Sequence, residues 1–334
     1  MLVTNTSNRT EREVRGGVCV IKAARLAALA STPLSTAMLV EAVEIEPDLI
    51  NLHMPYPPGD VIVRAVRGAP ALVVTYHSDV VRQQQLLRVY RPLLERTLAS
   101  ARRIIVTSRP YLQSSPFLCP HAARCRVVPL SVDPARFATF DAPEIARLRE
   151  GLRGPIILSV GVLRYYKGLH ILIEAMRELD ATLLVVGEGP ERWRLETLAR
   201  DLNLADRVYF AGRVADEELP SYYQAGDIFV LPSHLRAEAF GIVLLEAMAA
   251  GLPLITTEIG TGTSEVNQHG RTGFVVPPGD PRALARALSV LTADQGLREY
   301  FGQNGRRRVL DEYTPTIMVE RTAAVYREAL SARV

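Results

Sequence analysis

The 334-residue sequence predicts an α/β chain built from two parallel-sheet domains in tandem, and three observations carry that reading. Short apolar runs, DLINLH, ALVVTYH, RIIVTS and RVVPL, alternate with helical segments in the first part of the chain, as in a parallel sheet with helices on both faces. A polar, proline-marked stretch interrupts the pattern, which restarts at Pro155 with PIILSVG, ATLLVVG, RVYFAG, DIFVLP, PLITT and GFVVP. The length suits about two domains, and 48% hydrophobic residues suffice for sizeable cores.

Taken in order, the opening MLVTNTS reads as the second strand of a first-domain sheet, followed by a polar turn and VCVIKAAR, with Gly16-Gly17 in a hairpin turn. The first domain is expected over 1–132, a linker over 133–154, the second domain over 155–313, and a closing amphipathic helix within 314–334. Between 80 and 103, Arg82, Arg88, Arg91, Arg96, Arg102 and Arg103 face only Glu95. Such a basic amphipathic helix can lie on an anionic membrane, each cation contributing about 1 kcal/mol, or remain a solvated helix whose arginine stems cover apolar surface. In VVGEGPERWR, Arg192 stands where a dinucleotide fingerprint needs its third glycine after Gly187 and Gly189, so the run reads as a tight strand-to-helix turn.

Composition excludes several classes. A net charge of +3, with no aromatic residues interleaved in a basic stripe, argues against a nucleic-acid partner. Cys19, Cys119 and Cys125 form no CxxC pair and are odd in number, against a disulfide framework and a structural zinc site. Neither a signal peptide nor an apolar stretch near the roughly 20 residues of a membrane span is present. The expected location is cytoplasmic, with peripheral contact at the inner face of the plasma membrane through 80–103.

The most informative segment is EAFGIVLLE, where Glu238 on a loop and Glu246 about two turns into a helix flank Gly241. Gly241 lets a ligand approach the backbone, and the helix start offers unpaired N–H groups and a positive dipole end, a setting for a diphosphate. Glu238 can accept from sugar hydroxyls and Glu246 from both hydroxyls of a ribose, although E-x7-E alone also fits an ordinary helix face. Upstream, the strand ending at Gly161 leads into a loop with Arg164 and Lys167, two cations at the carboxyl end of a parallel strand where open α/β sheets bind ligands. The run Gly260, Gly262, Thr263 and Ser264 reads either as a nest of N–H groups for phosphate or sugar, or as a plain glycine turn.

Strand-GxxxxxKG followed some seventy residues later by E-x-F-G-x4-E resembles the family-4 retaining glycosyltransferases, which have the GT-B fold of two Rossmann-like domains facing across a cleft. TYHSD at 75–79, VVPLSVDPARF at 127–137, TEIGTGTSEVNQHG at 257–270 and GFVVPPGDP at 273–281 extend the resemblance over nearly the whole chain. It implies that Glu246 binds the donor ribose, that Glu238 and the backbone around Phe240, Gly241 and Ile242 hold the sugar, that Lys167 holds the diphosphate beside Gly161, and that His77 lies beside the transferred sugar. It also implies that the closing helix crosses back to brace the first domain. Two departures stand out. Val162 occupies the place of the family's phosphate-binding arginine, a role Arg164 is expected to take over, and the family's first strand, glycine-rich loop and long helix have no counterpart before MLVTNTS.

The resulting expectation is a retaining hexosyltransferase with a nucleoside diphosphate sugar as donor, GDP-mannose or a UDP-hexose, and a glycan or lipid-linked acceptor. YYKGL with GTGTS is similar to mannosyl-type transferases of bacterial surface polysaccharides. His77, Arg164, Lys167 and Glu238 are the expected catalytic groups, and Gly262 and Thr263 join the donor-binding set. No DxD-like pair stands near these elements, so metal independence is expected, with no cofactor besides the donor substrate. Two other readings stay open: a binding subunit that keeps the donor pocket without turnover, and a GT-B sugar-nucleotide epimerase.

Overall fold

The computed structural model describes residues 1–29, 32–80, 84–138 and 141–331. Two compact units divide the chain, one comprising Met1–Val106, Ser115–Val127 and the chain from Arg321, the other Thr107–Ser114 and Val128–Glu320.

In the first unit β1 (Leu2–Thr4), β2 (Glu11–Arg15) and β3 (Val18–Ala23) form a three-stranded sheet in the order β1-β3-β2. Gly16 and Gly17, at φ of +54° and +81°, turn β2 back onto β3, a geometry suited to residues without Cβ. The opening run therefore belongs to a small three-stranded sheet, separate from the parallel sheet of this unit. β4 (Ala27–Leu29) and β5 (Thr32–Leu34) make a separate hairpin. The parallel sheet of this unit runs in simple order through β6 (Leu49–Met54), β7 (Ala71–Tyr76), β8 (Arg103–Val106) and β9 (Cys125–Val127). Helices α1 (Thr36–Glu44), α2 (Pro57–Ile62) and α3 (Gln84–Ser100) accompany it, and Val73, Val74, Tyr76, Ile104, Leu94 and Leu98 are buried in its core.

The closing helix spans Pro315–Ser331, and its last turns are tied down by the first unit's own arginines. Arg103 Nε and Arg126 Nη2 both pair with Glu328, at 2.8 and 2.9 Å, and Arg102 Nη1 donates to the Ala329 carbonyl at 3.0 Å. Two arginines of the 80–103 run thus serve the packing of this helix. Arg82 of the same run lies outside the described residues.

The second unit is a doubly wound sheet of six parallel strands, β10 (Ile156–Val160), β11 (Thr182–Val186), β12 (Val208–Gly212), β13 (Ile228–Leu231), β14 (Leu254–Thr257) and β15 (Gly273–Val276), in the order β12-β11-β10-β13-β14-β15. Every residue of β10, β11, β13 and β14 is buried, as a sheet covered on both faces demands. Strand periodicity splits the core: Ile157, Leu183, Val185, Ile228 and Ile255 pack on one side, Ile156, Leu158, Leu184, Phe229 and Leu254 on the other. The helix Leu169–Ala175 covers the first face and the helix Ile242–Ala250 the second. Winding reverses between β10 and β13, and at such a switch point the loops diverge and leave a crevice at the carboxyl ends of the strands.

Candidate active site

The loops leaving β10 and β13 bring the expected residues of the second unit together at that switch point. After Gly161 the chain makes a short 3-10 turn, Tyr165–Lys167, closed by Gly168 at φ +70°. An added Cβ on Gly168 would run into the Pro232 carbonyl oxygen, so the absence of a side chain lets the two loops touch. The contact is sealed where His234 N–H donates to the Tyr166 carbonyl at 3.0 Å.

Lys167 Nζ then meets Glu238 Oε2 at 2.5 Å, with side chains only 13% and 11% exposed. A charge-assisted bond this secluded fixes both groups, since either charge alone would be left poorly solvated. Three residues on, Gly241 caps the Ile242–Ala250 helix at φ +80° and ψ +67°, and among the described residues no side chain caps that helix start. Apart from Leu244 N–H, which donates to the Gly241 carbonyl at 2.9 Å, its first-turn N–H groups therefore keep their affinity for an anion. Ile242 is exposed, whereas the Phe240 side chain is buried, edge-on to Tyr313 at 6.4 Å, so Phe240 anchors the loop and only its backbone is available to a ligand.

Glu246 stands half-buried farther along the same helix, where its Oε2 accepts from the Tyr223 hydroxyl at 2.6 Å. Burial pushes the Glu246 carboxyl above the usual carboxylate range, opposed by the Tyr223 bond and the nearby Arg136. Tyr223, wholly buried against the same carboxylate, is pushed well above the usual phenol value by burial and by Glu246. The carboxylate is thus oriented from below and keeps acceptor capacity on its other oxygen.

In the GTGTS run, read from sequence either as a nest of N–H groups or as a plain glycine turn, several donors have partners within the protein. Gly260 N–H and the Ser264 hydroxyl both donate to Glu258 Oε1, at 2.9 and 3.1 Å, and Gly262 N–H donates to the Ala239 carbonyl at 2.9 Å. Thr263 is buried with its hydroxyl 3.3 Å from the Thr257 carbonyl. Glu258, two residues before Gly260, thus already takes the Gly260 and Ser264 donors, while Gly262 N–H and the Thr263 hydroxyl go to backbone carbonyls. Gly262 serves packing instead, since a Cβ there would press on Phe240.

Arg164 is exposed at the start of the Tyr165–Lys167 turn, and its side chain makes no ion pair or hydrogen bond among the described residues. Val162, in the position the family gives to a cation, is 51% exposed. His77 lies in the first unit directly after β7, its N–H bonded to the Met54 carbonyl at 2.9 Å. Its Nε2 lies 2.8 Å from His53 Nδ1, a partner that no motif announces. A second residue missed from sequence is His234, whose two ring nitrogens are both buried without hydrogen-bond partners among the described residues. It packs edge-on to Tyr165 and His170 at 4.8 and 5.2 Å, and burial lowers its basicity.

A parallel-sheet unit followed by a doubly wound one, with a lysine, two carboxylates and a glycine-capped helix start on the loops and helix at the switch point of the latter, is the architecture of the GT-B class of glycosyltransferases. The chain belongs to the family-4, or group 1, glycosyltransferases. Residues 2–136 match the family described as Glycosyltransferase Family 4, and residues 142–308 match Glycosyl transferases group 1. It is 40% identical over 301 residues to the D-rhamnosyltransferase WbpZ of Pseudomonas aeruginosa, covering 90% of this chain and 79% of that protein. To the O-antigen chain mannosyltransferase C of Escherichia coli it is 37% identical over 316 residues, 94% of this chain and 85% of that one. Among solved structures, the sucrose-phosphate synthase of Thermosynechococcus elongatus superposes with a TM-score of 0.83 at 28% identity, over 100% of this chain and 89% of that chain.

Proposed function

We propose that this glycosyltransferase moves a manno-configured hexose, or its 6-deoxy counterpart, from a nucleoside diphosphate donor to a growing surface polysaccharide, with retention and without a metal. The observation that carries the reading is the buried Lys167–Glu238 pair beside the Gly241 helix start. A diphosphate leaving group needs positive potential where its charge develops, and a lysine and a helix N-terminus supply it. Glu238 orients the sugar hydroxyls, Glu246 takes the ribose hydroxyls, and the departing diphosphate receives the acceptor's proton in a front-face attack. Rate acceleration is then mostly positional and electrostatic. Mannose and D-rhamnose, the sugars in the names of the two relatives, share one ring configuration and differ only at C6, and a mannosyltransferase of Mycolicibacterium smegmatis that is 33% identical over 259 residues is named GDP-mannose-dependent, which favours a GDP-linked donor over a UDP-hexose.

Product analysis tests this directly. The purified chain, given GDP-mannose or UDP-glucose with a mannose-terminated acceptor, is expected to form an α-linked product from the GDP donor. Donor binding without turnover would support a binding subunit, and isomerised donor without acceptor would support an epimerase.

The acceptor is proposed to be lipid-linked, presented at an anionic membrane. On the first unit, α3 exposes Leu86 and Val89, the latter 83% accessible, beside an apolar hollow of about 770 Å³ that also receives Leu39, Val61, Tyr90 and Leu93. Arg88, Arg91 and Arg96 stand exposed on the same helix. Among the described residues no helix is long and apolar enough to cross a membrane. Removing one surface cation, as in Arg88→Gln, is expected to weaken co-sedimentation with phosphatidylglycerol vesicles about fivefold. Unchanged partitioning in that variant and in Val89→Ser would count against membrane contact through α3.

A further inference from the structure

The first unit contains a polar relay that no sequence motif marks. Along β6, Asn51 and His53 alternate with the buried Leu52 and Met54, so both project from one face of the sheet. The parallel register sets His53 opposite Thr75, and His77 follows two residues later on that face. Thr75 Oγ1 donates to Asn51 Oδ1 at 2.8 Å. This leaves the amide nitrogen facing the Tyr326 hydroxyl at 2.8 Å and His53 Nε2 at 3.3 Å. His53 Nδ1 in turn lies 2.8 Å from His77 Nε2, with the two rings stacked at 5.0 Å and 28°.

With the Asn51 amide oxygen on Thr75 and its nitrogen toward Tyr326 and His53, as the structure places them, proton counting sets the direction of this chain. An amide nitrogen carries two hydrogens and no accepting lone pair, so toward His53 it can only donate. His53 Nε2 is then the acceptor, and a neutral imidazole must carry its single proton on Nδ1. That proton points at His77 Nε2, which must therefore be unprotonated, and the proton of His77 falls on Nδ1. Both rings lean toward neutrality: partial desolvation lowers the basicity of His53, which keeps an exposed edge, and partial burial together with His53 lowers that of His77. His77 Nδ1 has no protein partner among the described residues.

We infer that Asn51 and His53 are positioning residues that lock His77 in the Nδ1–H tautomer, so that His77 presents a hydrogen-bond donor, from Nδ1, to an oxygen of the sugar it attends. Free histidine in water prefers the opposite tautomer, so the relay imposes the form that the isolated side chain disfavours. Tyr326 ties the relay to the closing helix by holding the Asn51 amide. The functional half of the inference rests on the proposed transferase reading. The tautomer itself does not.

Long-range proton–nitrogen NMR spectra of nitrogen-15-labelled protein at mildly alkaline pH provide the test, with the His77 signals assigned by their loss in His77→Gln. The wild type is expected to show a protonated Nδ1 and a pyridine-like Nε2 at His77. Asn51→Asp, nearly the same shape, turns the donor facing His53 into an acceptor and is expected to invert both rings, placing the His77 proton on Nε2. His53→Leu should likewise return His77 to Nε2–H, whereas His53→Asn, which keeps a donor close to the old Nδ1 position, should preserve Nδ1–H. A wild-type His77 protonated at Nε2, or an unchanged tautomer in Asn51→Asp, would overturn the assignment. In transfer assays His53→Leu is expected to lower kcat about tenfold, the size of one neutral hydrogen bond, with little change in donor KM and substantial recovery in His53→Asn. Confirmed tautomers with no effect on kcat would refute the functional half alone.

Discussion

A Lys167→Ala variant is expected to lose about a thousandfold in kcat/KM, comparable with the removal of one preorganised group from a site of developing charge. Its stability should fall as well, by about 3 kcal/mol, because Glu238 would be left secluded without a counter-charge. Those two effects have different origins, and a second variant separates them. Combining Lys167→Met with Glu238→Gln removes both charges, so most of the stability should return while activity stays low. Thermal unfolding and steady-state kinetics on the single and double variants read this out. If the double variant regained activity, Lys167 would be only a structural partner of Glu238, and the cation at the leaving group would have to come from elsewhere, with the exposed Arg164 the nearest candidate in sequence.

The parts of the site that could be read from sequence are those encoded locally. A strand ending in glycine, a cation on the following loop and a glycine-capped helix start are each set by neighbouring residues, which is why Lys167, Glu238, Gly241 and Glu246 fall at the β10/β13 switch point. Partners brought in by packing were not legible. Tyr223 reaches Glu246 from a different helix, and His53 meets His77 only through the parallel register of β6 and β7. Arg103 finds Glu328 across 225 positions of sequence, so a run that reads as a uniform basic stripe is split between packing and surface roles. Glu258 was missed for another reason: its bonds to Gly260 and Ser264 are short-range, yet glycine spacing alone does not say whether a nest awaits a ligand or is already filled from the chain.

Glu246, proposed to take the ribose hydroxyls, is expected to combine a functional gain with a cost in stability, and the two should respond oppositely to substitution and to pH. Replacing it by alanine should weaken binding of the donor nucleotide about 30- to 100-fold, the loss of hydrogen bonds to a charged acceptor, as measured by titration calorimetry with GDP. Burial raises its carboxyl above the ordinary value, so the folded chain holds this proton more tightly than the unfolded chain. Unfolding then releases a proton in the window between the ordinary and the raised value, and the stability contribution of Glu246 falls as pH rises through that window. Above it the ionised group is a net cost at this position. Glu246→Gln, which keeps an acceptor for Tyr223, is therefore expected to melt higher than wild type at neutral pH, with the advantage vanishing below the ordinary carboxylate range. Nucleotide affinity should run the other way in the wild type, strengthening as pH rises through the same window because the ionised carboxylate is the better acceptor for ribose hydroxyls. A variant that bound nucleotide as well as wild type would remove the ribose role. One that lost stability at neutral pH would instead show the Tyr223–Glu246 bond to be a structural asset, its hydrogen bond outweighing the desolvation of the charge.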